Sequence, residues 1–249
     1  MASRAAQQVA PSPESGPRTA RQRPYNASRR REAAALRRRH VFTVAGQIFA
    51  ERGYTATTVV DVAEAAEVSP ELIFKTMGGK PGLLLGAVRT AGTDPRFEDL
   101  RASLHGLDLP SLGSLEDRVD ALVRLAVAAV ERISPLVPAL HVAADVDEQA
   151  DRLLDALRRE HLVTTRLLVD LLLADLPPDL SGDGQVRSAS RSPLGARRRA
   201  RAAEELYVLT SAETHHQFVQ VVGWTRRRYA AWLRHALLDG LRRAVEPVG

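Results

Sequence analysis

The chain has 249 residues, enough for a real buried core, and is 45% hydrophobic but only 4% aromatic. Cysteine is absent, which excludes a disulfide framework and any thiolate metal site. The net charge of +5 is unevenly placed: residues 1–40 hold ten arginines and two glutamates, +8, leaving the remainder at −3. A basic end on a mildly acidic body suggests that one end meets a polyanion, although a solvated Arg-rich tail gives the same count. Apolar bulk comes mainly from Leu, Val and Ala without long β-type alternation, so the expected fold class is all-α. No apolar segment follows the N-terminal charges, so no secretory signal is read. The longest apolar stretches, such as 167–173, are too short for a bilayer. A cytoplasmic protein without membrane association is expected.

Residues 1–28 carry Pro, Ser, Gln and Arg without periodicity and read as a disordered basic arm. A helix is predicted over 29–52, with Val41, Val44, Ala45, Ile48 and Phe49 as its apolar stripe and Gly53 as its stop. Short helices follow at 59–66 and 70–77, then one from Lys80 to Ala91. Residues 94–113 read as a connection with one helical turn at most. Ser114-Leu-Glu-Asp117 is a capping box that opens a helix to about Ile133. Pro135 and Pro138 then bend the chain, and helices are predicted over 137–145 and 147–174. A Ser/Gly/Pro/Arg-rich flexible loop covers about 177–199. Two last helices, 200–222 and 226–245, are separated by Gly223.

The stretch 57–80 carries the functional signal. Thr58 and Asp61 form a second capping-box pattern, and Ala63 is small where two helices must cross closely. Ser69 can cap the next helix, with Pro70 at its first position, where a missing N–H is harmless. Two short helices with a tight turn cannot bury a core alone, so 29–52 and 80–91 must complete the bundle. This is a helix-turn-helix layout, whose second helix presents its N-terminal residues to base edges in the major groove.

The run Ile48-Phe-Ala-Glu-Arg-Gly-Tyr-Thr-Ala-Thr-Thr-Val59, then Asp61-Val-Ala-Glu-Ala-Ala-Glu-Val-Ser-Pro70, Ile73-Phe-Lys75, Gly78-Gly-Lys80 and Leu83-Leu84 resembles the DNA-binding domain of TetR-family regulators. The resemblance covers about fifty residues in order and spacing. It implies phosphate contacts from Thr57, Thr58 and Lys80, and base-facing positions at Glu71 and Leu72. Ser69, Pro70, Phe74, Lys75 and Thr76 complete the expected DNA surface, with Arg29, Arg30 and Arg31 as further backbone contacts. Phe74, Thr76 and Met77 stand where the family usually has Tyr, His and Phe. Glu67 replaces a usual turn glycine.

For residues 93–249 the resemblance implies a helical regulatory and dimerisation domain. A homodimer would form through the last two helices, with Leu206, Phe218, Trp232 and Leu233 among the interface candidates. An effector pocket between the central helices would be lined by His141, Thr165, Tyr207 and His215. The expected function is a sequence-specific regulator, a repressor released from a pseudo-palindromic operator by a small molecule. The alternatives are an activator, or a nucleoid-type protein that senses nothing. Enzyme motifs are lacking: there is no Gly-rich phosphate loop and no G-x-S-x-G. Glu213 and His216 resemble half of a di-iron site, but the second half is missing, so no metal and no cofactor is expected.

Overall fold

The computed structural model describes residues 22–97, 99–174 and 193–245. The chain divides at Arg38/Arg39 into two units. Every regular element among the described residues is helical. The helices are α1 (Gln22–Ala56), α2 (Val59–Ala65), α3 (Pro70–Met77), α4 (Gly79–Gly92), α5 (Leu100–His105), α6 (Leu115–Ile133), α7 (Val137–Val146) and α8 (Glu148–Leu172). After these come α9 (Pro193–Leu209), α10 (Ala212–His215), a π-helical segment His216–Val221 and α11 (Arg226–Val245).

In the first unit, α1 begins at Gln22, seven residues before the expected start at Arg29. Pro24 falls in its first turn, where an N–H has no helical partner, so the proline does not oppose the helix. The rest of the expected arm, 1–21, lies outside the described residues. Residues 29–38 are exposed.

The second unit holds two apolar cores. The first gathers Val41, Ala45 and Phe49 of α1, Val62 of α2, Ile73 of α3 and Leu83 and Leu84 of α4. Leu140 of α7 and Ala150 and Leu154 of α8 belong to the same core, so it crosses the expected boundary at 92/93. The second core is built by Val119, Leu122 and Val127 of α6, Leu168 and Leu172 of α8, Leu206 of α9 and Tyr229, Leu233 and Leu237 of α11. Each fully buried aliphatic side chain of this kind contributes about 2 kcal/mol. α8 joins the two cores: its first turns face one and its last turns the other.

Local chemistry explains most boundaries. Gly53 at φ 75° interrupts the helical conformation of α1 at the predicted stop. Thr58, Ser69, Ser114 and Asp147 cap α2, α3, α6 and α8 through their side chains. Ser134–Leu136 forms a 3-10 turn around Pro135, which separates α6 from α7. Taken together, Leu115–Val146 is long and apolar enough by length and composition to cross a membrane, which corrects the expectation that no stretch is. That run is broken by the 3-10 turn, contains the buried Arg118, and contributes side chains to both cores.

Two expectations near the C-terminus are corrected. The loop does not extend to 199, because α9 starts at Pro193, with Pro at its first position. Residues 175–192 of that loop lie outside the described residues. The expected continuous helix 200–222 is broken at Thr210 and Ser211. There the Thr210 hydroxyl donates to Leu206 O at 2.7 Å, the Thr214 hydroxyl donates to Val208 O at 2.7 Å, and Ser211 Oγ accepts the Thr214 N–H at 3.1 Å.

Arg118 closes the second core. It is 2% exposed, and its guanidinium donates to Leu112 O (2.9 Å), Pro110 O (3.2 Å), Leu172 O (3.1 Å) and Ala174 O. The last two carbonyls belong to the C-terminal end of α8, where a cation offsets the helix dipole and satisfies orphan acceptors. Arg118→Leu keeps the stem but strands these carbonyls. It is expected to cost about 3 kcal/mol in urea denaturation; a loss below about 1 kcal/mol would show that the clamp contributes nothing.

Candidate nucleic-acid interface

α2 and α3 form the helix-turn-helix. Thr58 Oγ1 accepts the Asp61 N–H at 3.1 Å, and the Thr58 N–H donates to Asp61 Oδ2 at 2.8 Å, a complete capping box. The Asp61 carboxyl is held below the usual range chiefly by the Thr58 hydroxyl, then by the Thr58 N–H. Ala63 is 1% exposed, and its carbonyl accepts the Val68 N–H at 2.9 Å across the turn. Glu67 occupies the left-handed region at φ 54°, so the turn keeps a glycine-like conformation with a side chain present. A non-glycine residue there costs about 1 kcal/mol.

α3 has two faces. Ile73 and Met77 enter the core, while Glu71, Phe74, Lys75 and Thr76 are exposed and Leu72 is half-exposed. Phe74 is 63% exposed, so it is a surface residue and not part of the core. Ser69 is exposed and caps the helix by accepting the Leu72 N–H at 3.3 Å, with Pro70 half-exposed beside it. The Glu71 carboxyl is held low, first by its own N–H and then by the Ser69 hydroxyl. An acidic acceptor therefore stands in the first turn of the helix. Thr76 turns its hydroxyl back to Leu72 O at 2.7 Å.

The phosphate candidates separate. Thr58 is exposed at the start of α2. Thr57 is 0% exposed and donates its hydroxyl to Gly53 O at 2.7 Å. The expectation of a phosphate contact from Thr57 is corrected: its side chain closes the end of α1 and has no surface to offer. Lys80 is half-buried, with Nζ 3.3 Å from Thr55 O and 4.3 Å above the Tyr54 ring. Burial lowers its ammonium pKa, and Asp147 opposes that shift. Lys75 is exposed on α3. Arg29, Arg30 and Arg31 are exposed in the first unit.

Beneath Lys80 lies a contact absent from the sequence reading. The Tyr54 hydroxyl donates to Asp147 Oδ2 at 2.7 Å, 93 residues away. Asp147 Oδ1 meanwhile caps α8 by accepting the Gln149 and Ala150 N–H groups at 2.9 and 3.1 Å. The Tyr54 bond is the main cause holding the Asp147 carboxyl below its usual range, and burial and Asp147 raise the Tyr54 phenol. Asp147 carried a signal only as a helix start; nothing local in the sequence pairs it with Tyr54.

The residues expected in an effector pocket are scattered. His141 is exposed on α7. Thr165 is 1% exposed and donates to Leu162 O at 2.9 Å. Tyr207 is half-buried, its ring 4.9 Å from that of His161, whose Nε2 lies 3.2 Å from Thr210 Oγ1. His215 is 2% exposed, edge-on to Tyr229 at 4.9 Å, with both ring nitrogens lacking a hydrogen-bond partner. Burial lowers its imidazole pKa and favours the neutral ring. Of the dimer candidates, Leu206 and Leu233 are 1% and 0% exposed inside one chain. They are core residues with no surface for a second copy, which corrects that expectation. Phe218 and Trp232 are half-buried with ring centroids 4.5 Å apart.

Residues 42–87 match the family model described as bacterial regulatory proteins, tetR family. The chain matches no curated protein and no solved structure.

Two outcomes follow from this geometry. Glu67→Gly should stabilise the protein by about 0.5–1 kcal/mol in thermal or urea unfolding, since the turn already has the conformation glycine adopts freely; a loss of stability would contradict the strained turn. Tyr54→Phe tests the Asp147 bond through pH. A carboxyl whose folded pKa is depressed stabilises above its unfolded value, about 3.9, and that contribution fades as pH falls through the folded value. Wild type should therefore be more stable than Tyr54→Phe at pH 6, by about 1 kcal/mol, with the gap closing below about pH 4. A gap independent of pH would exclude the proposed linkage.

Proposed function

We propose that this chain, whose residues 42–87 match the model of the tetR family of bacterial regulatory proteins, is a sequence-specific repressor that leaves a pseudo-palindromic operator when a small-molecule effector binds. The observation that carries the reading is the division of α3. Ile73 and Met77 fix it to the core, while Glu71, Phe74, Lys75 and Thr76 form a solvent face with an aromatic ring on it. A soluble bundle has no folding reason to expose a phenyl ring beside charges, whereas a groove-reading helix does.

The roles follow from the chemistry. Glu71 is ionised and accepts only, so it suits the N4 amino group of cytosine in the major groove. Phe74 offers apolar contact to a thymine methyl. Lys75, Lys80 and Thr58 hold phosphates, and Arg29, Arg30 and Arg31 add sequence-independent affinity. A homodimer would set two α3 helices about 34–36 Å apart, one helical turn of DNA. Val208, Val221 and Val222 are exposed, and half-buried Phe218 and Trp232 lie in the same C-terminal part of the chain. This supports an interface there in place of Leu206 and Leu233. Effector contacts fall to Tyr207, half-buried beside His161, and to His215, which has two buried nitrogens in need of partners, while Thr165, like Thr57, gives its hydroxyl to a backbone carbonyl and has no surface to offer. Ligand binding would act as a shift between dimer states with different head spacing. The setting is the cytoplasm, where the operator is.

Selection of binding sites from random DNA by the full chain tests the reading. An enriched inverted repeat is expected. Glu71→Gln should change the preferred base at one position per half-site, by about 1–3 kcal/mol of discrimination. Lys80→Ala should weaken all sites alike and reduce the salt slope by about one. Recovery of no motif, or of the same motif and affinity with Glu71→Gln, would count against α3 as the reading helix.

A further inference from the structure

A cavity of about 410 Å³ lies between the segment 94–107 and α6, a volume suited to a small ligand. None of the residues expected to meet an effector lines it. Its apolar lining comes from Phe97, Leu107, Leu125, Ala121 and Ala128. Gly106 shapes the wall: a Cβ there would stand 2.3 Å from the Phe97 ring, so any larger residue would displace that ring. Its charged lining is Arg96, Arg124 and Arg132 against one carboxylate, Asp94.

The charges do not cancel. Asp94 is paired with Arg96 at 2.9 Å, and that hydrogen bond holds its carboxyl down to about 2. Arg132 faces carbonyls, with Nε 2.7 Å from Ala91 O and Nη2 3.2 Å from Thr93 O. Its neighbour Glu131 is paired with Arg226. Arg124 is exposed on α6 and has no carboxylate partner among the described residues. Arg124 thus borders an apolar hollow without a carboxylate partner among the described residues, while Arg132 beside it stands in the field of Asp94 and Glu131. Guanidinium is the donor best matched to a planar carboxylate, which it binds in two parallel hydrogen bonds.

We propose that this cavity binds an amphipathic organic carboxylate, its head group on Arg124 and Arg132 and its apolar body against Phe97, Leu107 and Leu125. Because Arg132 also holds the last carbonyls of α4, a bound anion competes for the group that ties α4 to α6. The cavity and its binding stand apart from the repressor reading, since they can be measured without DNA.

The test is isothermal titration of the full chain with sodium octanoate, 1-octanol and sodium acetate. Octanoate should bind at one site, octanol at least about tenfold more weakly, and acetate without measurable heat. Arg124→Gln, on an exposed position, should weaken octanoate about tenfold and leave octanol unchanged. Ala128→Phe should fill the cavity and remove both, in a protein that still melts cooperatively. If Ala128→Phe fails to fold, the Arg124→Gln comparison decides. No octanoate binding, equal affinity for octanol, or octanoate affinity unchanged in Arg124→Gln would overturn the proposal. Anisotropy of wild type on the selected DNA separates the two readings: intact DNA binding without octanoate binding removes the cavity proposal alone.

Discussion

The bond between Tyr54 and Asp147 is the contact on which the arrangement of the second unit turns. It joins the end of α1, at the foot of the helix-turn-helix, to the first residue before α8. One carboxylate serves both sides: Oδ2 accepts from the phenol while Oδ1 caps α8. Lys80 completes the node from above the Tyr54 ring. A buried hydroxyl with no acceptor would cost about 1–3 kcal/mol, so Tyr54 cannot leave Asp147 without another partner. The helix-turn-helix and the start of α8 are therefore held in one core, together with α7.

α8 is the element that packs into both cores. Leu154 is buried with the α1–α4 bundle and Leu168 and Leu172 with α6, α9 and α11. Arg118 fixes the far end of α8 by its carbonyls, and Asp147 fixes the near end by its N–H groups. Between these anchors the helix carries His161, 3.2 Å from Thr210 Oγ1, and Thr165, bonded to Leu162 O. A packed helix anchored at both ends moves as a body, because close-packed interiors deform little. Arg132, bound to the end of α4 from α6, is a second mechanical tie between the same two regions.

Much of this was legible from local chemistry. The capping box at Thr58, the N-cap at Ser114 (without the reciprocal half of the expected box), the stop at Gly53 and the two faces of α3 follow from spacing and side-chain type, and the helix order follows from periodicity. Long-range facts were not legible. Thr57 and Thr58 are adjacent and alike, yet one is buried with its hydroxyl on Gly53 O at the end of α1 and the other is exposed with its hydroxyl on Asp61. Leu206 and Leu233 have the pattern of interface residues, and burial within one chain uses the same pattern. Arg118 reads as one surface arginine among many because its partners are backbone carbonyls, which leave no trace in sequence. Thr210 and Ser211 broke an otherwise periodic helix by hydroxyl bonds to the backbone, a competition that apolar spacing does not register.

The central claim is that the exposed face of α3 reads a discrete DNA sequence. Fluorescence anisotropy of the full chain on DNA from the intergenic region upstream of its own coding sequence, against scrambled DNA of the same length and composition, addresses it most directly. The salt should be near physiological, where non-specific binding is weak. The account predicts a preference of at least about a thousandfold for one short palindromic segment. Equal binding to both, with a steep salt dependence and no preferred segment in site selection, would make the chain a sequence-independent DNA binder and contradict the claim.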